Sequence, residues 1–100
     1  MVGDPSQIDV QDLEWDEGNL AHLADHGVQR TEVDAVLQNA PQFFANLPER
    51  SGTHVMLGPN ANGRFLYVVL AESARRGVWR VITAYRYSRR RALRYYRRES

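Results

Sequence analysis

The chain has no cysteine and no lysine. The first absence excludes a disulfide framework and any thiolate zinc site. The second makes all thirteen basic residues arginine. Long apolar runs are missing as well. The longest, "FLYVVLA" from Phe65 to Ala71, is far too short to span a bilayer. The opening stretch "MVGDPSQIDVQDLE" is acidic and lacks the apolar core of a signal peptide, so a cytoplasmic protein is expected. No glycine-rich phosphate loop, HExxH string, Ser-His-Asp set or nucleotide motif occurs, and no cofactor is expected. Internal repeats and low-complexity segments are absent too.

What is there is one domain's worth of ordinary globular composition, 100 residues long. Its net charge of +1 hides a strong polarity. Residues 1–49 carry ten acids and one arginine, while residues 50–100 carry twelve arginines and two acids. The sums are −9 and +10, and such a division can create a positive face.

Residues 1–11 read as a loose leader and residues 12–100 as a single domain. "DLEW", Asp12 to Trp15, reads as a short strand. Asp16 is placed to cap a helix over about Glu17 to His26, with Leu20, Leu23 and Ala24 as its apolar stripe and Gly27 at its end. Thr31 is placed to cap a second helix carrying Val33, Val36 and Leu37, which Pro41 stops. The period then changes to two. Gln42–Leu47, Thr53–Gly58, Arg64–Ala71 and Val78–Tyr85 read as four strands, with turns at "PNANG" and "SARRG". Ser88 is placed to cap a last helix from Arg89 to about Arg98. The expectation is an α+β fold in βααββββα order, with an antiparallel sheet and helices on one of its faces.

Val81 to Ser100 holds seven arginines, four tyrosines and a single acid, Glu99. On a helix, Arg90, Arg94, Arg97 and Arg98 share one face, with Ala92, Leu93 and Tyr96 opposite. Arg89, Arg90 and Arg91 crowd the helix start, where the macrodipole disfavours cations, and an anionic partner would offset that cost. The apolar face is too small for membrane binding. RNA, DNA or an acidic protein remain. Tyr85, Tyr87 and Tyr95 can stack on unpaired bases between arginines that hold phosphates, or they can pack in the core.

Cutting RNA without a metal needs a base for the 2′-OH proton, cations for the charge that develops on phosphate, and an acid for the leaving 5′-oxygen. Arginine's planar fork matches phosphate oxygens. Arg80 and Arg86 are read on one side of the last strand with Ile82 and Ala84. Arg64 opens the neighbouring strand, and Arg50 lies in the "PERSG" loop. These four can converge on one surface, although Arg80 can equally pair with an acid at the sheet edge. His54 is the acid–base candidate, with Glu49 and Tyr85 as substitutes. His22 and His26 stand at a metal-ligand spacing without a suitable third ligand, so His26 reads as a helix end and no metal site is expected.

Three stretches together resemble a known family. "EWDEGNLAHLADHGV" is similar to the opening of BrnT-type toxins, "GRFLYVVLAES" to their Gly-Arg-Leu-Leu-Val-Val-Val strand, and "WRVITAYRYSRRRALRYY" to their last strand and Arg-rich terminal helix. The likeness runs from about Leu13 to Arg98. It implies a RelE-like fold and a ribonuclease toxin that arrests translation. It also implies a cognate antitoxin that neutralises the toxin, with operator DNA bound only through their complex. For such an activity the chemistry of the residues makes His54, Arg64, Arg80, Tyr85 and Arg86 the catalytic candidates. The RNA-binding candidates are Arg50, Tyr87, Arg89, Arg90, Arg94, Arg97 and Arg98. Two positions depart from the family pattern. Thr53 or His54 stands where an Arg commonly precedes the third strand, and Ala84-Tyr85-Arg86 replaces Ala-Arg-Lys. The other reading is a catalytically inert module that binds its antitoxin and assists repression of their operon.

Overall fold

The computed structural model describes residues 5–47 and 52–96, except for the side chains of residues 95 and 96. Six strands and three helices follow one another: β1 (Pro5–Ser6), β2 (Asp12–Glu14), α1 (Glu17–Asp25), α2 (Arg30–Gln38), β3 (Gln42–Ala45), β4 (His54–Pro59), β5 (Phe65–Glu72), β6 (Val78–Arg86) and α3 (Arg89–Tyr96). All strands join one sheet in the order β1-β3-β4-β5-β6-β2.

The α+β class stands, and three details differ from the sequence reading. First, the sheet is mixed. β2 runs parallel to β6, with Leu13 opposite Trp79, while the other pairs are antiparallel. Second, residues 5–11 are not loose. Pro5 and Ser6 pair with β3, Ile8 and Val10 pack on the core, and the Trp79 indole donates to the Asp9 carbonyl at 3.2 Å. Third, the helices cover both faces of the sheet. Leu23, Val33 and Val36 of α1 and α2 pack with Leu66, Val68 and Leu70 on one face. Ala92 and Leu93 of α3 pack with Val55, Leu57 and Tyr67 on the other. This double cover explains why Phe65 to Leu70 is apolar without alternation: every one of those residues is buried.

Local chemistry accounts for the ends of the helices. The Asp16 carboxylate accepts from the Asn19 N–H at 2.8 Å, and the Asn19 side chain accepts from the Asp16 N–H, a reciprocal cap on α1. Gly27, at φ +67°, closes that helix. At α2 the cap position is Gln29, not Thr31. The Glu32 carboxylate reaches back to the Gln29 N–H at 2.9 Å. Ser88 caps α3 as read, its hydroxyl accepting from the Arg91 N–H at 3.2 Å.

One irregularity decides where the arginines go. Val69 pairs with Thr83, but Leu70 pairs with Val81, so Ile82 is an extra residue in β6. Side chains alternate along a strand, and a bulge reverses the parity beyond it. Val81 and Ala84 therefore share the face under α1 and α2, while Ile82 joins the α3 side.

Candidate functional site

The bulge separates two residues that the sequence placed together. Arg80, before it, forms an ion pair with Asp16 at 2.8 Å, its side chain 44% exposed. Arg86, after it, lies opposite Leu66 at the far end of β6. His54 is distant from Arg86 as well. It pairs with Leu70, four residues along β5 from Leu66, which is about 13 Å at strand rise. The His54 ring meets Trp79 edge-on at 5.1 Å, and its Nδ1 lies 2.9 Å from the Thr53 hydroxyl. The expected set of His54, Arg64, Arg80 and Arg86 is thus not one cluster. Arg50 and its neighbour Glu49 lie outside the described residues, as do Arg97 and Arg98.

A different group assembles around Arg86. Its Nη1 donates to Glu32 Oε1 at 2.9 Å, and its Nη2 donates to the Gly27 carbonyl at 3.2 Å. That carbonyl is free to accept because α1 has ended. Glu32 also accepts from the Asn60 amide at 3.0 Å. Asn60 is buried, and its carbonyl oxygen accepts the N–H groups of Asn62 and Arg64 at 2.9 and 3.0 Å. One side chain therefore braces the β4–β5 turn and ties it to α2. Burial raises the pKa of Glu32, but hydrogen bonds from the Gln29 N–H, Arg86 and Asn60 outweigh it and hold the carboxyl below its ordinary value. Glu32 is thereby fixed as an anion, an anchor and not a proton carrier.

Beside Arg86 a column of rings crosses the sheet end. His26 lies 5.7 Å from Tyr85, Tyr85 stacks on Tyr67 at 5.0 Å, and Tyr67 meets Tyr87 at 5.2 Å. The Arg91 guanidinium sits 4.7 Å over Tyr87. Tyr87 is only 8% exposed, so it is core and not a platform for bases, which corrects the stacking role allowed for it. Tyr85 is half-buried at the accessible side of the column. The side chain of Tyr95 lies outside the described residues.

Further cations follow Arg86 in the chain or border the braced turn. Arg64, Arg89, Arg90 and Arg94 are exposed and form no ion pair among the described residues. Arg64 immediately precedes β5 at the braced turn, and Arg89 follows Arg86 by three residues. Ala92 is fully buried and Leu93 half-buried, as the helical pattern required.

The arrangement offers an imidazole (His26), a phenol (Tyr85) and a positioned guanidinium (Arg86) at one sheet end, with exposed arginines that form no ion pair among the described residues. Sequence reasoning treated His26 only as a helix end and gave Glu32 and Asn60 no role. The signal for Glu32 was its place three residues after Gln29. Nothing local marked the contact of His26 with Tyr85, which lies 59 positions away in the chain. Among the described residues no helix is long and apolar enough to cross a membrane. Comparison of the chain with protein-family models, curated proteins and solved structures gives no match.

Proposed function

We propose that the chain is the toxin of a toxin–antitoxin pair, an endoribonuclease that cleaves RNA by attack of the 2′-oxygen and so arrests translation. The observation that carries the reading is the contact of His26 with Tyr85, the residue before Arg86, whose guanidinium binds the carbonyl of Gly27 next to His26, at the sheet end where Arg64 and Arg89 are exposed without an ion pair among the described residues. In this reading RNA phosphates lie on the arginines. His26 takes the 2′-OH proton, the 2′-oxygen attacks phosphorus, and the 5′-oxygen leaves with the proton of the Tyr85 phenol. A 2′,3′-cyclic phosphate and a free 5′-hydroxyl result. Arg86 stabilises the charge that develops on the phosphate oxygens. His26 thus takes the role that the sequence reading assigned to His54. The resemblance to BrnT-type toxins and their RelE-like fold supplies the partner, an antitoxin with acidic groups for the same arginines and contacts to operator DNA.

A second reading, an inert module that binds only its antitoxin, is favoured by two observations. Arg80 and Arg86 are both held in ion pairs, and Tyr85 stands where the resembled family has arginine. Induction in a bacterial host without the partner separates the two. Arrest of growth and translation, with RNA fragments ending in 2′,3′-cyclic phosphate, is expected. Normal growth with folded protein present defeats the nuclease reading and leaves the inert module.

A further inference from the structure

An open cleft of about 390 Å³ lies between the start of α2, the β4–β5 turn and the end of β6. We propose that it reads one unpaired adenine of a single-stranded RNA, an inference that rests on the RNA-binding reading above. Its size falls at the lower end of small-molecule pockets, right for one nucleotide and too small for a duplex. Single-stranded RNA is recognised in this way, one splayed base at a time, through the edges of that base.

The polar groups of the cleft divide into two sets. Glu32 and Asn60 are committed internally. Both Glu32 oxygens accept, Oε1 from Asn60 and Arg86 and Oε2 from Gln29. Both polar atoms of the Asn60 side chain are bonded as well. These groups fix the walls and are not free to read a base. The side chains of Gln29, Thr31 and Asn62 form the other set. All three are exposed and line the cleft, and Thr31 and Asn62 make no side-chain hydrogen bond among the described residues.

The chemistry of the free set selects the base. A carboxamide offers a donor and an acceptor side by side, which matches N7 and the N6 amino group of adenine. Reading the cytosine amino group would call for a free carboxylate, and Glu32 is occupied. Ala35 and Ala61 give the cleft small apolar patches against which a flat base can lie. Arg86 uses one hydrogen of each terminal nitrogen on Glu32 and Gly27, and its remaining N–H groups face no partner among the described residues. They suit the adjoining phosphate, with Arg64, which forms no ion pair among the described residues, next to the same turn.

The test is fluorescence anisotropy of the whole chain with short, labelled homopolymers of adenylate, cytidylate and uridylate, and a guanylate-containing strand. Adenylate is expected to bind at least about fivefold more tightly than the others. Asn62→Ala and Gln29→Ala should each reduce that preference and leave the salt dependence of binding unchanged. Asn62→Asp, which removes the donor but keeps the shape, should also reduce the preference, its added charge weakening binding to every strand. Circular dichroism controls for fold, and both positions are exposed. Equal affinity for all strands, a preference for guanylate or cytidylate, or an adenylate preference that survives all three substitutions overturns the adenine subsite while leaving RNA binding intact. Absence of binding to any strand overturns the RNA reading itself.

Discussion

Replacing Glu32 by alanine removes the acceptor at the centre of three elements, and the cost can be worked from its partners. The Gln29 N–H loses its cap, worth about 1 kcal/mol. The Asn60 amide, on a residue only 3% exposed, loses its acceptor, worth about 1–3 kcal/mol. The Arg86 pair adds little, because the arginine side chain is 43% exposed and water can replace the partner, so about 0.5 kcal/mol suffices. The contributions are coupled, and a total of about 2–4 kcal/mol is expected. For a domain of this size that corresponds to a fall in Tm of roughly 10–25 °C. Glu32→Gln keeps one acceptor oxygen but loses the charge and turns its amide N–H2 toward one of the donors, so about 1–3 kcal/mol is expected. Urea denaturation at neutral pH, followed by the fluorescence of Trp15 and Trp79 and by far-UV circular dichroism, measures both variants. If Glu32→Ala lies within about 0.5 kcal/mol of the wild type, Glu32 does not brace the site and the reasoning fails.

Three further outcomes are expected. The Glu32 and Asp16 carboxyls are both held below their ordinary values, Asp16 chiefly by the hydrogen bond from the Asn19 N–H. A depressed folded-state pKa gives stability that is present above the unfolded value and lost as pH falls through the folded one. Stability should therefore decline below about pH 4.5, and Glu32→Gln should flatten that decline; a urea midpoint independent of pH between 3 and 5 would contradict it. Gly52→Ala should destabilise by more than about 1 kcal/mol, because φ is +77° and a Cβ would meet Val69 Cγ1 at 2.6 Å and the Leu70 carbonyl oxygen at 2.8 Å; an unchanged thermal midpoint would refute it. The triple variant of Arg89, Arg90 and Arg94 to Gln should lower the salt slope of RNA binding by about 2 units, at about 0.7 per single-strand phosphate contact, while Ala92 and Leu93 keep α3 docked; an unchanged slope would make these arginines a solvated face only.

The helices and strands were legible because a 3.6 period ends at Pro41, because a continuous apolar run bounded by turn residues marks β5, and because Asp16, Gly27 and Ser88 punctuate the helices. The strand β2 was legible as a strand but not as a parallel neighbour of β6, since that pairing joins residues more than sixty positions apart and leaves no local mark. The bulge at Ile82 was hidden for a related reason. Isoleucine suits either face of a sheet buried on both sides, so the pattern Val81-Ile82-Thr83-Ala84 gives no sign of the parity change. That one residue sends Arg80 to Asp16 and Arg86 to Glu32, and it dissolved the expected arginine cluster. His54 was chosen for its neighbours in sequence, whereas proximity to Arg86 depends on register, which places His26 there instead.

In the proposed ribonuclease, proton transfer occurs at the end of β6 and not at His54. The most direct measurement is cleavage of a 5′-labelled unstructured RNA by the purified chain and by His26→Ala, Tyr85→Phe and His54→Ala. General acid–base groups contribute about 10²–10⁴-fold in rate. Losses of that order are expected for His26→Ala and Tyr85→Phe, with cyclic phosphate ends in the wild-type products and a His54→Ala rate within about twofold of wild type. A His54→Ala variant that loses activity while His26→Ala and Tyr85→Phe retain it would contradict the account.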